Sequence, residues 1–272
     1  MQPDIFRPHV DLKNPAAILA SMNFDITQLL ENWDYQPGQI IVRRFKGRDG
    51  EEKIQLRVDL GLLQMNALGR PDGKRPMGHP TLFEYQESRL KKHIEAQGGE
   101  DGFVLKAEDC AKLQLEALQF HHRYICLLEL EDYEAVVSDT NRNLAVFDFV
   151  ARFAESEELS WALQQFRPQL LLVQVRARAG QKLAAKRHTE AVREIERGIA
   201  DLRTFFAEIG RADADHNSEV QYLENWIGEI NSARPLSKRE KLELALHEAV
   251  KQENYEKAAE VRDKLKKLPT EE

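Results

Sequence analysis

The stretch Ser237-Lys-Arg-Glu-Lys-Leu-Glu-Leu-Ala-Leu-His-Glu-Ala-Val-Lys-Gln-Glu-Asn-Tyr-Glu-Lys-Ala-Ala-Glu-Val-Arg-Asp-Lys-Leu-Lys-Lys-Leu268 sets the reading of this chain. Ser237 with Glu240 three residues later is a capping-box pattern, and Pro235-Leu236 closes off whatever precedes it. Leu242, Ala245, Leu246, Ala249 and Val250 recur at three- and four-residue steps and line one face of a helix. Asn254 is placed to cap a second helix, whose stripe is Tyr255, Ala258, Ala259, Arg262 and Leu265. The alanines allow close approach of the two helices, and Tyr255 can cover the turn with its ring while its hydroxyl stays wet. The pattern predicts a helical hairpin. So short a hairpin buries too few apolar side chains to offset the ordering of its backbone. It must lean on the rest of the chain, on a second copy or on a partner, and periodicity alone leaves those supports open.

Helical periods also govern most of what lies before it. Thr81 and Glu84 form another capping-box pattern ahead of Leu82, Tyr85, Leu90 and Ile94, and Gly98-Gly99 breaks that helix. Further helices are predicted near 107–130, 133–153, 157–184, 188–209 and 217–232, with Pro168 starting or kinking one of them. The joints at Asp132-Tyr133, Arg187-His188 and Asn254-Tyr255 share an aromatic ring after a tight turn, followed three positions on by Val136, Ala191 and Ala258. That arrangement is similar to the middle of a tetratricopeptide repeat. Tyr133, His188 and Tyr255 are spaced too widely and too unevenly for a tandem array, so the expectation is an irregular antiparallel helical body, TPR-like in logic only.

The N-terminal end reads differently. Asn14-Pro15 opens a short helix, and a second turn or helix falls between Asp25 and Trp33. Ile54, Leu56, Val58 and Leu60 alternate with Gln55, Arg57 and Asp59, which marks a half-buried strand. Gln39 to Lys46 is its partner across the Gly47-Arg48-Asp49-Gly50 turn. Glycines and prolines punctuate the stretch from Asp59 to Pro76, where no sustained element is expected. The fold class predicted is mainly α. A small basic α+β module with a β-hairpin spans 1–80, the helical body 81–234 and the helical hairpin 235–268.

Composition narrows the function classes. With 42% hydrophobic residues over 272 positions, the chain can bury a real core. The N-terminus shows no basic leader before an apolar run, and no stretch approaches the length of a membrane span, so a cytoplasmic protein is expected. Cys110 and Cys126 alone imply a reducing compartment rather than a disulfide framework. The net charge of −7 argues against wholesale nucleic-acid binding. Between Gly38 and His93, however, twelve Lys/Arg stand against seven Asp/Glu. This basic lobe could attract a phosphate backbone or an acidic protein, or be a scattered solvated surface.

The hairpin resembles the UVR motif, the C-terminal helical hairpin of the excision-repair proteins UvrB and UvrC. The resemblance rests on Leu242, Leu246, Ala249, Val250, the turn Glu253-Asn254-Tyr255-Glu256, then Ala258, Ala259, Arg262, Asp263, Leu265 and Leu268, in order and without gaps. It covers residues 237–268 only. It implies a docking device rather than a catalytic one, with Leu242, Leu246, Ala249, Tyr255, Ala258, Ala259 and Leu265 as the apolar contact face. Arg262 and Asp263 would orient the partner from the rim. The partner implied is a UvrABC component or, since UVR motifs also serve chaperone-ATPase systems, one of protein quality control. Self-association through two hairpins is a further reading. UVR motifs also occur in a zinc-binding activator of a protein-arginine kinase, but this chain lacks that family's paired cysteines. They also follow some small bifunctional nuclease domains, with which the Gly69–Pro80 loop shares only its basic flanks.

No catalytic constellation emerges. Gly69-Arg70-Pro71-Asp72-Gly73-Lys74-Arg75 approaches a phosphate-binding loop but is one residue short between glycines. Arg75 also stands where a magnesium-binding hydroxyl is needed. Arg70, Asp72, Lys74 and Arg75 are better read as a rigid basic turn. His121 and His122 are adjacent and diverge on a helix, and HExxH and Cys-x-x-Cys patterns are absent, so no metal or cofactor is predicted. Glu129, Glu131, Asp132, Glu134 and Asp139 crowd one helical joint, where a solvated helix end competes with acid–base or magnesium chemistry. The expected function is a non-enzymatic adaptor. The rival is a nucleic-acid binder or nuclease working through the basic N-terminal module.

Overall fold

A computed structural model describes residues 25–211, 217–233, 238–251 and 254–266. The predicted helix at Asn14-Pro15 and the caps at Pro235 and Ser237 lie outside them. The chain is mainly helical, with a small antiparallel sheet near its N-terminal end, and it divides into two compact units, Met1–Gln165 and Phe166–Glu272.

Among the described residues, the first unit opens on a single helical turn, Thr27–Leu30, and a sheet of order β1-β2-β3, formed by Val42–Lys46, Glu52–Val58 and Gly61–Asn66. Val42 pairs with Leu56 and Lys46 with Glu52 across the first turn, where Gly50 takes a left-handed φ of 81°. β3 corrects the expectation that nothing sustained runs through 59–76. Val58 pairs with Gly61, so Asp59 and Leu60 form a two-residue turn, and the ladder continues to Lys53–Asn66. Ile54 and Met65, directly opposite each other, are both buried. On the other face Arg43 Nε donates to Gln55 Oε1 at 2.7 Å, and Gln55 Nε2 donates to Gln64 Oε1 at 2.8 Å. The Arg43 guanidinium lies 3.9 Å from the Trp33 ring centre, a cation–π contact that covers this polar ladder.

Four helices complete this unit: α1 Leu82–Gln97, α2 Ala107–Glu129, α3 Tyr133–Phe153 and α4 Glu157–Gln164. Three of these starts carry a side-chain cap, the one at Thr81 as its sequence pattern predicts. Thr81 Oγ1 accepts from Glu84 N, Asp132 from Ala135 N and Ser156 from Leu159 N, each supplying a partner to an otherwise orphaned helix donor. Gly98, at a φ of 80°, ends α1. α2 and α3 pack antiparallel through Leu113, Phe120, Leu127, Val136, Val146 and Val150, all buried.

The second unit contains α5 Arg167–Ala184, α6 His188–Glu208, α7 Ser218–Ala233, α8 Lys238–Lys251 and α9 Tyr255–Lys266. The single helix expected over 157–184 is therefore two, interrupted at Gln165-Phe166, with Pro168 in the first turn of the second. α5 and α6 approach so closely that a Cβ on Gly198 would stand 2.1 Å from Val175 Cγ2. The α2–α3, α5–α6 and α8–α9 joints close alike. Asp132 N donates to Leu127 O, Arg187 N to Lys182 O and Asn254 N to Ala249 O, each reaching back five residues as in a Schellman cap.

Both cysteines sit inside α2 and are buried. Burial pushes the Cys126 thiol up to about 12, and burial with the nearby Asp109 and Glu155 carboxylates raises Cys110. Since the thiolate is the reactive form, neither should react with a thiol reagent in the native protein. Labelling that tracks unfolding, rather than preceding it, is the expected course.

Candidate functional site

The hairpin α8–α9 is built as its residues dictate. Asn254 caps α9, its Oδ1 accepting from Lys257 N at 3.1 Å, while Ala258 N donates to Asn254 O at 3.0 Å. Ala249, Ala258 and Val261 are buried in the seam, and Leu242, Ala245, Leu246 and Leu265 are half-buried. Small residues at the seam bring the helices together. Val261 belongs to it although the predicted stripe omitted it, and the three-residue step from Ala258 was the available signal. Ala259 faces solvent instead, as do Arg262 and Asp263. Tyr255 is 69% exposed and Val250 51%, so the turn end carries two large apolar side chains in water. Among the described residues, the extensive packing of α8 and α9 is on each other.

The Arg70 turn is anchored from its inner side. Arg70 Nη1 pairs with Asp72 at 2.9 Å and its Nε donates to Glu116 Oε1 at 2.8 Å. Asp72 Oδ1 accepts from Lys74 N at 2.9 Å, while the Lys74 and Arg75 side chains are exposed. Beneath the turn lies a buried polar network that the sequence did not reveal. Glu116, 1% exposed, accepts from Leu82 N and Phe83 N, the first donors of α1, and pairs with Arg70 and Arg142. A carboxylate at a helix N-terminus complements its dipole. The Arg142 guanidinium also lies 4.1 Å from the Phe120 ring centre. Beside it, Arg123 makes a two-point pair with Asp139 at 2.7 and 2.8 Å, and its third nitrogen donates to the carbonyls of Asn66 and Gly69.

These pairings account for most of the basic lobe's arginines. Arg44 pairs with Asp132, Arg89 with Asp109, and Arg57 donates to the carbonyls of Trp33 and Gly61. At the acidic joint, Asp132 caps α3 and Asp139 pairs with Arg123. His121 Nδ1 lies 2.8 Å from the Tyr124 hydroxyl, with burial lowering the imidazole from its ordinary range. Among the described residues no three His, Cys, Asp or Glu side chains are grouped to hold a metal, and no helix is long and apolar enough to cross a membrane.

Among known protein families, residues 237–269 match the UvrB/uvrC motif. The segment is a UVR motif, and the match is confined to it. No curated protein and no solved structure matches the chain.

Proposed function

We propose that this chain is a non-catalytic adaptor that docks a partner protein through the α8–α9 hairpin. The observation that carries the reading is the hairpin's geometry. Its helices close on each other through Ala249, Ala258 and Val261, while Tyr255 and Val250 stand exposed at the turn end. A packed terminal hairpin would bury such side chains against its own domain. The motif's occurrence in UvrB and UvrC supports a component of excision repair as the partner. The engagement of Arg43, Arg44, Arg57, Arg70 and Arg89 in internal contacts favours protein docking over a phosphate-binding role for the N-terminal module.

Tyr255→Ala on the full chain tests this. The side chain makes little internal contact, so helicity should be unchanged while affinity for UvrB or UvrC falls about tenfold or more. Undiminished binding of either protein by the variant counts against the hairpin. Binding to neither, with recovery of a chaperone ATPase lost on the same substitution, moves the adaptor to protein quality control.

A further inference from the structure

We propose that the tip of the β3–α1 loop, formed by Lys74, Arg75 and Met77, is a second docking site, which takes an acidic peptide segment carrying a large apolar side chain. The loop is fastened from its inner side. Arg123 donates to the Asn66 and Gly69 carbonyls, Glu116 holds Arg70 and the first two amides of α1, and Asn66 N donates to Pro71 O at 2.8 Å. None of these ties uses a side chain of the tip.

The tip shows solvent the features that a folded core normally hides or pairs. The side chains of Lys74 and Arg75 are exposed and enter none of the ion pairs or hydrogen bonds found among the described residues, whereas most other arginines of the module are engaged. Met77 is 70% exposed, and its backbone is held in the left-handed region at φ 49° and ψ 28°, uncommon for any residue but Gly, Asn or Asp. A methionine turned outward on a fixed backbone offers an adaptable apolar contact beside two cations. Two neighbouring exposed cations attract carboxylates. Nucleic acid fits less well, because Asn66 to Pro80 contains no Phe, Tyr or Trp to stack on bases, its His79 ring lies against Tyr85, and Asp72 adjoins the cations. Because the loop is already ordered, binding would pay little conformational entropy.

The test pans the full chain against a displayed random-peptide library, alongside the double variant Lys74→Glu/Arg75→Glu and the variant Met77→Asn, whose asparagine suits the left-handed backbone. Unfolding midpoints equal to the parent's are expected, since the tip side chains tie nothing down. The expected outcome is enrichment of Asp/Glu-rich peptides with an adjacent Leu, Phe or Met. Synthetic copies of these should lose about tenfold or more in affinity on the double variant. The same peptides should bind an Ala258→Glu chain as tightly as the parent, which separates this site from the hairpin. Enriched peptides without acidic character, or binding indifferent to all three substitutions, overturn the proposal. So does binding of a single-stranded oligonucleotide, or self-association, that the double variant abolishes.

Discussion

Glu116→Ala is expected to destabilise the N-terminal unit by about 3–5 kcal/mol, the usual result of deleting one partner from a buried ion pair. The carboxylate is nearly inaccessible and serves four groups at once: the guanidinium groups of Arg70 and Arg142 and the backbone donors of Leu82 and Phe83. Removing it takes the paired carboxylate from Arg142 and leaves Arg70 with Asp72 alone, so that two neighbouring guanidinium groups lose the charge between them. It also orphans two amides at a helix start, each a further penalty if water does not reach it. Glu116→Gln should fall between the two, because an amide oxygen still accepts a hydrogen bond but carries no charge. Denaturant melts of the full chain, followed by tertiary fluorescence, check the order wild type, Gln, Ala. A loss below about 1 kcal/mol for the alanine variant would mean that water already solvates this network.

Ala258→Glu is expected to abolish docking altogether. Ala258 is 8% exposed in the seam, where α9 lies against α8, and a glutamate would have to carry its charge between two helices or force them apart. It differs from Tyr255→Ala in mechanism. The tyrosine variant removes a contact from an intact hairpin, whereas the glutamate removes the hairpin's shape. Circular dichroism should therefore record some loss of helix for Ala258→Glu and none for Tyr255→Ala, with partner affinity reduced in both. Full binding by Ala258→Glu would show that the seam is dispensable for recognition.

The helical elements were largely legible in the chain because their signals are local. The helix expected over 133–153 after the tight turn at Asp132-Tyr133 is found with those bounds, and Gly98 ends α1 where the Gly98-Gly99 break was read. β3 was not legible. Leu62, Leu63, Gln64 and Met65 do not alternate cleanly, because Leu62 is half-buried on one face while Met65 is buried on the other. The flanking glycines and prolines then read as loop.

The network around Glu116 escaped for a different reason. Its members come from positions 70, 116 and 142, and no spacing rule links residues so far apart. One trace was present. Glu116 sits among Leu113, Ala117 and Phe120 on the buried stripe of α2, and a charge on such a stripe needs a partner. In the hairpin, Ala249 and Ala258, expected on the apolar contact face, are buried where α8 and α9 meet. The stripe on α9 divides in the structure, with Ala258 buried against α8 and Tyr255 and Ala259 exposed, because these positions fit more than one helical face until α8 selects one.

The most direct measurement is a parallel capture experiment with the full chain and a chain ending before Pro235, with bound proteins identified by mass spectrometry. The adaptor reading predicts a partner retained by the full chain and absent from the shortened one. The shortened chain should keep the thermal unfolding of the N-terminal unit, since α8 and α9 pack on each other. Equal capture by the two chains would contradict it. The hairpin would then be packed structure, and recognition would have to be sought elsewhere on the chain.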